Sequence, residues 1–401
     1  MKFRFTVTVL SIIITFLASD IFAIPAFARK YNMTCKTCHS PFPKLKPYGD
    51  EFAGNGFVLK DQDAPRYYVD TGDPELSLIR DLPLALRLEG YVTYNQSNSE
   101  QSDFTTPLLF KLMTGGAIAK DISYYVYYIL ENGEPGKIED AWLMFNNLFG
   151  SELDFTVGQF QVCDPLFKRE LRLTRDDYYI YKVRPGNSNI DLTYDRGIML
   201  AYGFESGTVV TLEIVNGSGI GEGFLSGNFD NDKYKNLMGR ISQDVNDHFR
   251  IGAMGYWGKE EQEVNIPGGT RFVSNELWML GADATISLDP LELNLQYIHR
   301  SDNNPRFIAD NTFLSLLYPD YKIKTDGGFA EIVYRPNGDD SKWYAVGLFN
   351  WIQSDQTELD FKSLSGHFGY LLRRNIRLVG ELNYNFTNEF ATIGVGFATA
   401  F

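Results

Sequence analysis

The C-terminal stretch Thr392-Ile-Gly-Val-Gly-Phe-Ala-Thr-Ala-Phe401 alternates between two kinds of side chain. One face carries Ile393, Val395, Phe397 and Phe401, and the other carries Thr392, Gly394, Gly396, Ala398 and Ala400. Successive side chains of a β-strand point to opposite faces. The pattern therefore predicts a strand with one bulky apolar face and one narrow face, at about the length of 9–11 residues that crosses a bilayer.

The same alternation continues backwards through the chain to about residue 82. We count about sixteen such segments, most of them about 9–12 residues long, which is close to the length of a tilted transmembrane strand. Their predicted starts are Leu84, Leu108, Ser123, Lys137, Leu153, Arg196, Thr208, Lys235, Phe249, Asn275, Leu291, Asp326, Lys342, Phe361, Ile376 and Glu389.

The connections between these segments alternate in predicted length. The long ones are residues 95–106, 161–189, 217–234, 259–274 and 301–325, and the short ones are 120–122, 205–207, 244–248, 288–290 and 373–375. Outer-membrane barrels have long extracellular loops and short periplasmic turns. The sequence thus predicts an all-β fold, an antiparallel transmembrane barrel of about sixteen strands over residues 82–401 with both ends in the periplasm.

A soluble β-sandwich is the alternative, because its strands also alternate and turn a polar face to water. Three features favour the barrel. The loop lengths alternate over the whole region, no linker divides these roughly 320 residues into smaller domains, and the last strand ends on Phe401. A terminal Phe on an alternating strand resembles the signal that outer-membrane assembly machinery reads.

The stretch Cys35-Lys36-Thr37-Cys38-His39 is the attachment signature of a c-type haem. Both thiols would bind the porphyrin, and His39 would supply the proximal imidazole to the haem iron. A redox pair needs no following histidine, and a structural zinc site needs four ligands. The sequence therefore favours one covalent haem c over those alternatives.

An export signal precedes this motif. Lys2 and Arg4 are followed by an apolar run over residues 5–18, which indicates a signal peptide cleaved after Ala23 in preference to Ala28. We therefore expect a signal peptide at residues 1–23, a monohaem cytochrome c segment at 24–81 and the barrel at 82–401. The haem segment is too small to enclose a cofactor alone, so we expect other parts of the chain to complete the pocket.

Composition narrows the class of protein. Aromatic residues make up 15% of the chain, with 36 Gly, which is typical of β-structure with aromatic girdles and tight turns. The formal net charge of −14 argues against a nucleic-acid partner. The third cysteine, Cys163, is predicted to be a buried small residue rather than a free reactive thiol.

With both regions interpreted, the chain resembles the fused monohaem cytochrome–porins of the bacterial outer membrane. The matching stretches are Phe27-Ala28-Arg29-Lys30-Tyr31, Cys35 to His39, Pro41-Phe42-Pro43-Lys44-Leu45, Asn55-Gly56, Val157-Gly158-Gln159-Phe160 and Asp164 to Glu170. The resemblance implies that the short haem segment plugs the barrel lumen. It also implies electron transfer, since the characterised members are iron oxidases.

The expected function is electron transfer between an extracellular donor, with Fe(II) the leading candidate, and a periplasmic c-type cytochrome. Outward flow to an extracellular acceptor uses the same parts. Two other classes stay open: a diffusion porin in which the haem segment is a structural or sensory plug, and a soluble periplasmic haem-binding β protein. The residues give no paired carboxylates or nucleophilic triad for hydrolytic chemistry.

The distal ligand of the haem iron is not readable from the sequence. Met33 lies too near Cys35 to reach the opposite ring face easily, and His248 and His299 fall at predicted strand ends. The alternation along its strand predicts that His367 faces the lumen, which makes it a weak candidate for the distal ligand. A lumen histidine with only polar partners is the more common case.

Two groups of charges have an open role. Lys168, Arg169, Arg172 and Arg175 lie in a long predicted loop. If the loop folds into the barrel, they would offset haem propionates or set anion preference; otherwise they pair locally with Glu170, Asp176 and Asp177. Acidic residues in predicted outer segments would attract ferrous ion by field alone, but such loops are more often only solvated or bridged by divalent ions to lipopolysaccharide. These acidic residues are Glu100, Asp103, Asp230, Asp232, Glu260, Glu261 and Glu263.

Overall fold

The structure is a computed structural model that describes residues 26–59, 68–69, 71–80, 82–97, 101–221, 229–230, 232–310, 313 and 320–401. The predicted signal peptide lies outside the described residues. Three short helices open the described chain: α1 (Ala26–Tyr31), α2 (Cys35–Cys38) and α3 (Pro47–Gly54). None of the described helices has the length and apolar character needed to cross a membrane.

Two short strands, β1 (Tyr68–Val69) and β2 (Leu78–Ile79), pair with each other after the helices. Sixteen longer strands follow in the described part of the chain. They are β3 (Leu84–Asn95), β4 (Gln101–Ala119), β5 (Ile122–Glu131), β6 (Lys137–Phe145), β7 (Leu153–Gln161), β8 (Tyr194–Gly203), β9 (Thr208–Val215), β10 (Asn236–Asn246), β11 (Phe249–Ile266), β12 (Gly269–Leu288), β13 (Leu291–Asp302), β14 (Ile323–Tyr334), β15 (Trp343–Ser354), β16 (Phe361–Arg373), β17 (Ile376–Asn385) and β18 (Phe390–Ala400).

These sixteen strands close into an antiparallel barrel in which each strand pairs with its neighbours in sequence. The barrel closes where β18 pairs with β3, from Thr392 opposite Asn95 to Ala400 opposite Arg87. The predicted strand number and the closed antiparallel topology are therefore confirmed. Closure leaves no unpaired sheet edge, which is the condition for a strand-built span of a bilayer.

The connections fall at two ends of the barrel. The turn end carries residues 120–121, 146–152, 204–207, 247–248, 289–290, 335–342 and 374–375, together with the start of β3 and the end of β18. Among the described residues, the loop end carries 96–97, 132–136, 162–193, 216–221, 229–230, 232–235, 267–268, 303–310, 320–322, 355–360 and 386–389. We use these two names below.

Side chains alternate between the two faces of the wall as the sequence predicts. On β16, Ser363, Ser365 and His367 point inward and are buried, whereas Leu364 and Phe368 point outward and are exposed. The last strand behaves in the same way, with Ile393 and Val395 outward and Ala398 inward. The outer surface is thus mainly apolar, and the interior holds most of the polar side chains together with an apolar cluster that packs against residues 162–193.

Two predicted loops are wrong. The segments 95–106 and 259–274 were expected as long connections, but β4 already begins at Gln101 and the β11–β12 hairpin pairs up to Ile266 opposite Gly269. Where strands extend beyond the apolar band, their outer face no longer needs apolar side chains. Their side chains then lose the alternation that marks a strand in the sequence. Glu260, Glu261 and Glu263 consequently lie on β11 rather than in a loop.

Candidate functional site

The Cys-x-x-Cys-His stretch forms a single helical turn. Cys35 and Cys38 are the ends of α2, and the backbone N–H of His39 donates to the Cys35 carbonyl at 2.9 Å. Residues three apart in a helix share a face. Cys35, Cys38 and His39 accordingly all line the same internal cavity.

This cavity has a volume of about 1060 Å³ and is bounded by the helices, the inner wall of the barrel and the turn end. We call it the lower cavity. Cofactor and ligand pockets commonly span about 300–1,000 Å³, so the lower cavity has ample room for a haem. Because both thiols and the imidazole of the motif border that room, the residues present fit the group that the sequence predicts.

The imidazole of His39 is oriented by its own backbone neighbourhood. Its Nδ1 lies 2.8 Å from the carbonyl oxygen of Pro43 and must donate to it. The second ring nitrogen, Nε2, is then the one that carries the free lone pair. A backbone carbonyl on the far nitrogen is the common way of orienting a metal-binding histidine.

The protonation state of His39 agrees with that role. The surrounding protein takes the ring out of bulk water, and this desolvation lowers the pKa of His39 to about 4. The imidazole is therefore neutral at pH 7. Neutral imidazole is the form that binds a metal ion.

The thiols differ from those of a redox pair. Burial raises the pKa of both Cys35 and Cys38 above the ordinary value, whereas reactive Cys-x-x-Cys motifs depress it. A zinc site also lacks support, since no group of three or more His, Cys, Asp or Glu among the described residues is arranged to hold a metal ion. Both alternatives considered from the sequence are thus less consistent with this geometry than covalent haem attachment.

Ion pairs join the N-terminal segment, residues 26–57, to the inside of the barrel. Lys44 Nζ lies 2.7 Å from Glu292 Oε1 on β13, and both side chains are largely buried. Lys46 Nζ lies 2.6 Å from Asp339 Oδ2 in the turn 335–342. From the same turn, Arg335 donates to the carbonyl of Ser40 at 3.0 Å.

Aromatic packing fixes the opposite side of the same segment. The ring of Phe57 stacks on Phe27 with centroids 4.4 Å apart, and it meets Tyr125 on β5 at 5.0 Å. It also stacks on Trp142 of β6 at 6.3 Å. The N-terminal segment is therefore held against β5 and β6 by apolar contacts and against β13 by charge.

Residues 162–193 form a second element inside the barrel, which we call the inner loop. Its apolar side chains pack on inward residues of the wall, with Tyr178 stacked on Phe329 at a centroid distance of 4.1 Å. The backbone N–H groups of Arg175 and Asp176 donate to Glu381 on β17 at 2.6 and 2.8 Å. The inner loop thus spans the lumen, and Cys163 within it is fully buried as predicted.

The cations of the inner loop lie inside the barrel and also pair with local carboxylates, so the two arrangements that the sequence offered are both present in part. The loop lies inside the barrel, yet Arg169 Nε still pairs locally with Asp177 Oδ2 at 2.9 Å. Burial on its own would raise the pKa of Asp177, but Arg172 and Arg169 hold it well below its usual range. Lys168 instead reaches Asp50 of α3 at 3.7 Å.

A smaller cavity of about 390 Å³ lies on the loop-end side of the inner loop, and we call it the upper chamber. Arg87, Glu170 and Arg172 border both the upper chamber and the lower cavity. Arg87 donates to the Glu170 carbonyl at 3.0 Å, and Lys111 Nζ lies 2.7 Å from Glu170 Oε2. The inner loop and these ion pairs therefore separate the two spaces.

His367 does face inward, but it does not line the lower cavity. Its Nδ1 lies 2.9 Å from Glu381 Oε2, and its Nε2 lies 3.3 Å from the Tyr344 hydroxyl. Both ring nitrogens thus have polar partners in the wall, which agrees with the more common of the two interpretations. Met33 and His248 border the lower cavity, while His299 pairs with Asp326 at 2.8 Å.

The sequence did not identify the partners of the motif. Pro43, which orients His39, lies in a stretch that the family resemblance singled out without giving it a role. Glu292, which pairs with Lys44, carries no motif of its own. In the sequence, Glu292 alternates with Leu291 and Leu293, which puts it on the polar face of a strand. This alternation was the one sequence feature that could place Glu292 in the lumen.

The barrel is shared with solved outer-membrane proteins. An anion-selective porin from Comamonas acidovorans matches with a TM-score of 0.56 at 11% identity, over 80% of this chain and 99% of that chain. Salmonella typhi OmpF, in complex with daunomycin, matches at 0.54 and 12% identity, over 80% and 97%. A loop L8 deletion mutant of OmpT, an outer membrane protein of Vibrio cholerae, matches at 0.52 and 11% identity, over 80% and 99%.

No family model and no curated protein matches this sequence. At such low identities the similarity to porins concerns the fold. The chain therefore has the fold of a sixteen-strand porin barrel. Its barrel encloses the N-terminal segment described above.

Proposed function

We propose that this chain is an outer-membrane cytochrome–porin that transfers electrons through one c-type haem. Cys35 and Cys38 would hold the haem covalently, and His39 would be the proximal ligand of its iron. The observation that carries this proposal is the shared cavity of the two thiols and a neutral imidazole inside a porin-type barrel. A haem bound there would supply one-electron exchange.

In this proposal residues 24–81 are the monohaem cytochrome c segment and residues 82–401 are the barrel. The segment plugs the lumen from the turn end. Its attachment to opposite walls, by Lys44 on Glu292 and by Phe57 on Tyr125 and Trp142, supports a plug that is fixed in place. Residues 1–23 would be the signal peptide that exports the chain.

The turn end is the periplasmic side in our proposal, because short turns face the periplasm in outer-membrane barrels. A periplasmic c-type cytochrome would exchange electrons there, close to α2. The loop end would face the medium, and outer-membrane lipids would surround the apolar outer wall. The inner loop keeps bulk water and larger solutes away from the lower cavity.

The upper chamber is the natural docking place for an extracellular donor such as Fe(II). Six carboxylates and four basic side chains line it, and most of the carboxylates already pair with cations such as Lys111 and Arg169. Glu131 and Asp176 form no ion pair with another described residue, so they are the groups that would attract a cation. The carboxylates are Glu89, Glu131, Glu170, Asp176, Asp177 and Glu381, and the basic groups are Arg87, Arg172, Arg175 and Lys182. In an Fe(II) oxidase, electrons would pass from this chamber inward to the haem. In a reductase of an extracellular acceptor, they would pass from the haem outward to the chamber.

The second candidate is a diffusion porin in which the haem segment serves as a structural or sensory plug. The similarity of the barrel to solved porins supports this second candidate. Conductance in a planar bilayer separates the two functions. We expect a plugged electron-transfer barrel to pass little current, whereas an open porin passes a large one.

The proposal is tested on the purified, oxidised protein in detergent. We expect covalent haem that survives denaturing electrophoresis, and fast, saturable reduction when ferrous ion is added without oxygen. The double variant Cys35→Ala/Cys38→Ala controls for attachment, and His39→Ala controls for ligation. Absence of covalent haem in the native chain would overturn the proposal, while haem reducible only by dithionite would exclude Fe(II) as the donor.

A further inference from the structure

Strand β6 contains a β-bulge that the alternating pattern of the sequence does not predict. Glu139 and Asp140 together oppose the single residue Tyr127 of β5, between the pairs Val126–Ala141 and Tyr128–Ile138. A bulge of this kind re-aims a side chain and is often found next to active sites. Here it turns two consecutive carboxylates into the lumen.

A neighbouring side chain stabilises the bulge. The amide of Gln159 on β7 donates to the carbonyls of Ile138 and Glu139 at 2.6 and 2.7 Å. These are the backbone acceptors at the bulge, where regular pairing with β5 is interrupted. The arrangement is therefore a built feature of the wall, with its polar backbone atoms satisfied.

The two carboxylates of the bulge have different surroundings. Glu139 accepts from the Tyr127 hydroxyl at 3.0 Å and pairs with Lys137 at 3.0 Å. Asp140 is 6% exposed and lines the lower cavity, and its Oδ1 has no hydrogen-bond partner among the described residues. A buried carboxylate oxygen without a partner is costly unless a proton or a cation joins it.

A second carboxylate borders the same cavity from the inner loop. Asp164 lies two residues after the start of that loop, and burial raises the pKa of Asp164 to about 6. Of its charged neighbours, Glu170 and Asp50 raise this pKa further, and Lys168 and Lys111 lower it. The group thus titrates close to the physiological range.

We propose that Asp140 and Asp164 form a redox-linked proton site, which takes up one proton from cavity water when the haem gains an electron. The inference rests on the proposed function, because it needs the haem. The electron comes from the external donor, and the proton converts one carboxylate to a carboxylic acid. No bond to the iron forms or breaks. The positive charge of the proton compensates the negative charge that the electron adds to the cavity.

The charged and titratable groups that face this pair come from every element packed around it. They are Lys111 on β4, Tyr125 and Tyr127 on β5, Glu139 on β6, Tyr194 on β8, Glu213 on β9, Cys163, Lys168 and Glu170 in the inner loop, and Asp50 on α3. The two lysines are already engaged, Lys111 with Glu170 and Lys168 with Asp50. The pair therefore binds a proton rather than relying on a nearby ammonium group.

The expected signature is a reduction potential that depends on pH. Reduction favours the protonated pair, so the potential should fall as the pH rises through the region near the pKa of Asp164. The limiting slope is about 59 mV for each tenfold change in proton concentration for a one-electron couple. We expect Asp140→Asn and Asp164→Asn each to at least halve this slope, because each removes a titrating group without changing its size.

The experiment is a spectroscopic redox titration of the haem-loaded protein between pH 5 and 8. Glu260→Gln is the matched control, since Glu260 is a buried carboxylate that does not line the lower cavity. Oxidised-minus-reduced infrared spectra give a second readout, in which a carboxylic acid band should appear on reduction and shrink in both variants. An unchanged slope in both variants would overturn the proton site, as would a native potential independent of pH.

The two proposals fail in distinguishable ways. A chain without covalent haem gives no redox titration of a haem, and this result would overturn the proposed function itself. A chain with haem, whose pH slope survives both substitutions, keeps the electron-transfer function and assigns the slope to other groups such as the haem propionates. If one variant fails to fold, the other still decides, because Asp140 lies on a strand and Asp164 on the inner loop.

Discussion

Lys44 and Glu292 lie 248 positions apart in the chain, yet their charged atoms meet at 2.7 Å inside the barrel. The pair connects the N-terminal segment to β13. Arg335 lies 3.4 Å from the second oxygen of Glu292, which makes the carboxylate a junction of two cations. Docking of the segment therefore depends on a buried charge network rather than on chain connectivity.

We expect Glu292→Gln to loosen the N-terminal segment. Removing one partner from a buried pair leaves an uncompensated charge and costs about 3–5 kcal/mol. Limited proteolysis of the intact protein should then cut within residues 26–57 at least tenfold faster. Planar-bilayer conductance should rise as the segment leaves the lumen.

The exposed pair of Lys36 with Asp340 provides the matched control for this change. Asp340 is 71% exposed, and exposed ion pairs contribute little to stability. Asp340→Asn should therefore leave proteolysis and conductance near native values. Equal effects of the two substitutions would show that the buried junction has no special role in docking.

The second prediction concerns His39. His39→Ala should keep the haem attached through Cys35 and Cys38 but lose the proximal ligand, which changes the absorption spectrum and abolishes fast reduction by ferrous ion. Added imidazole should restore part of the native spectrum, because the cavity beside His39 is large enough to admit it.

His299→Ala controls for a general effect of losing a histidine, since His299 pairs with Asp326 on the outer side of the wall. It should leave the haem spectrum unchanged. A native spectrum in His39→Ala would remove His39 from the ligand set. Failure of imidazole rescue alone would show that the alanine variant has collapsed into the space.

The third prediction is acid release of the inner loop. The pKa of Asp177 lies below its ordinary value near 3.9 because of Arg172 and Arg169, so the folded state favours the charged form. The stabilisation from this charge is complete above the ordinary pKa and is lost as the pH falls through the lowered one. Bilayer conductance should therefore rise when the pH is taken from 7 to below about 3, where carboxylates bind protons.

Asp177→Asn should show the released state already at pH 7, with higher conductance and a weaker response to acid. The substitution removes the charge and keeps the side-chain size. Asp247→Asn, in an exposed turn, is the control and should follow the native profile. A native conductance for Asp177→Asn at neutral pH would mean that the apolar contacts of the loop suffice to hold it.

The barrel was predictable from the sequence because its wall has one physical rule. The strands between Leu84 and Ala400 separate a mainly apolar exterior from an interior that holds most of the polar side chains, and within a strand this alternates at every second residue. Twelve of the sixteen strands begin within one residue of the predicted start, as at Leu153 and Phe361. The rule fails where strands leave the apolar band, which is why the starts of β4 and β12 were placed too late.

The contents of the barrel were only partly predictable. The Cys-x-x-Cys-His motif is local, so Cys35, Cys38 and His39 could be named from spacing alone, and the haem that they would hold stays a prediction. The junction of Lys44 with Glu292 depends on the register of strands far away in sequence. The bulge at Glu139 and Asp140 breaks the alternation by a single residue, and no composition change marks it.

The last prediction tests the direction of the field in the upper chamber. Glu131 and Arg175 both line it, and neither forms an ion pair with another described residue. If Fe(II) docks there, Glu131→Gln should slow the second-order reduction by ferrous ion several-fold at low ionic strength, and Arg175→Gln should accelerate it. Added salt should shrink both effects, because screening shortens the reach of either charge. Effects of the same sign in the two variants, or none in either, would show that Fe(II) does not reach the haem through this chamber.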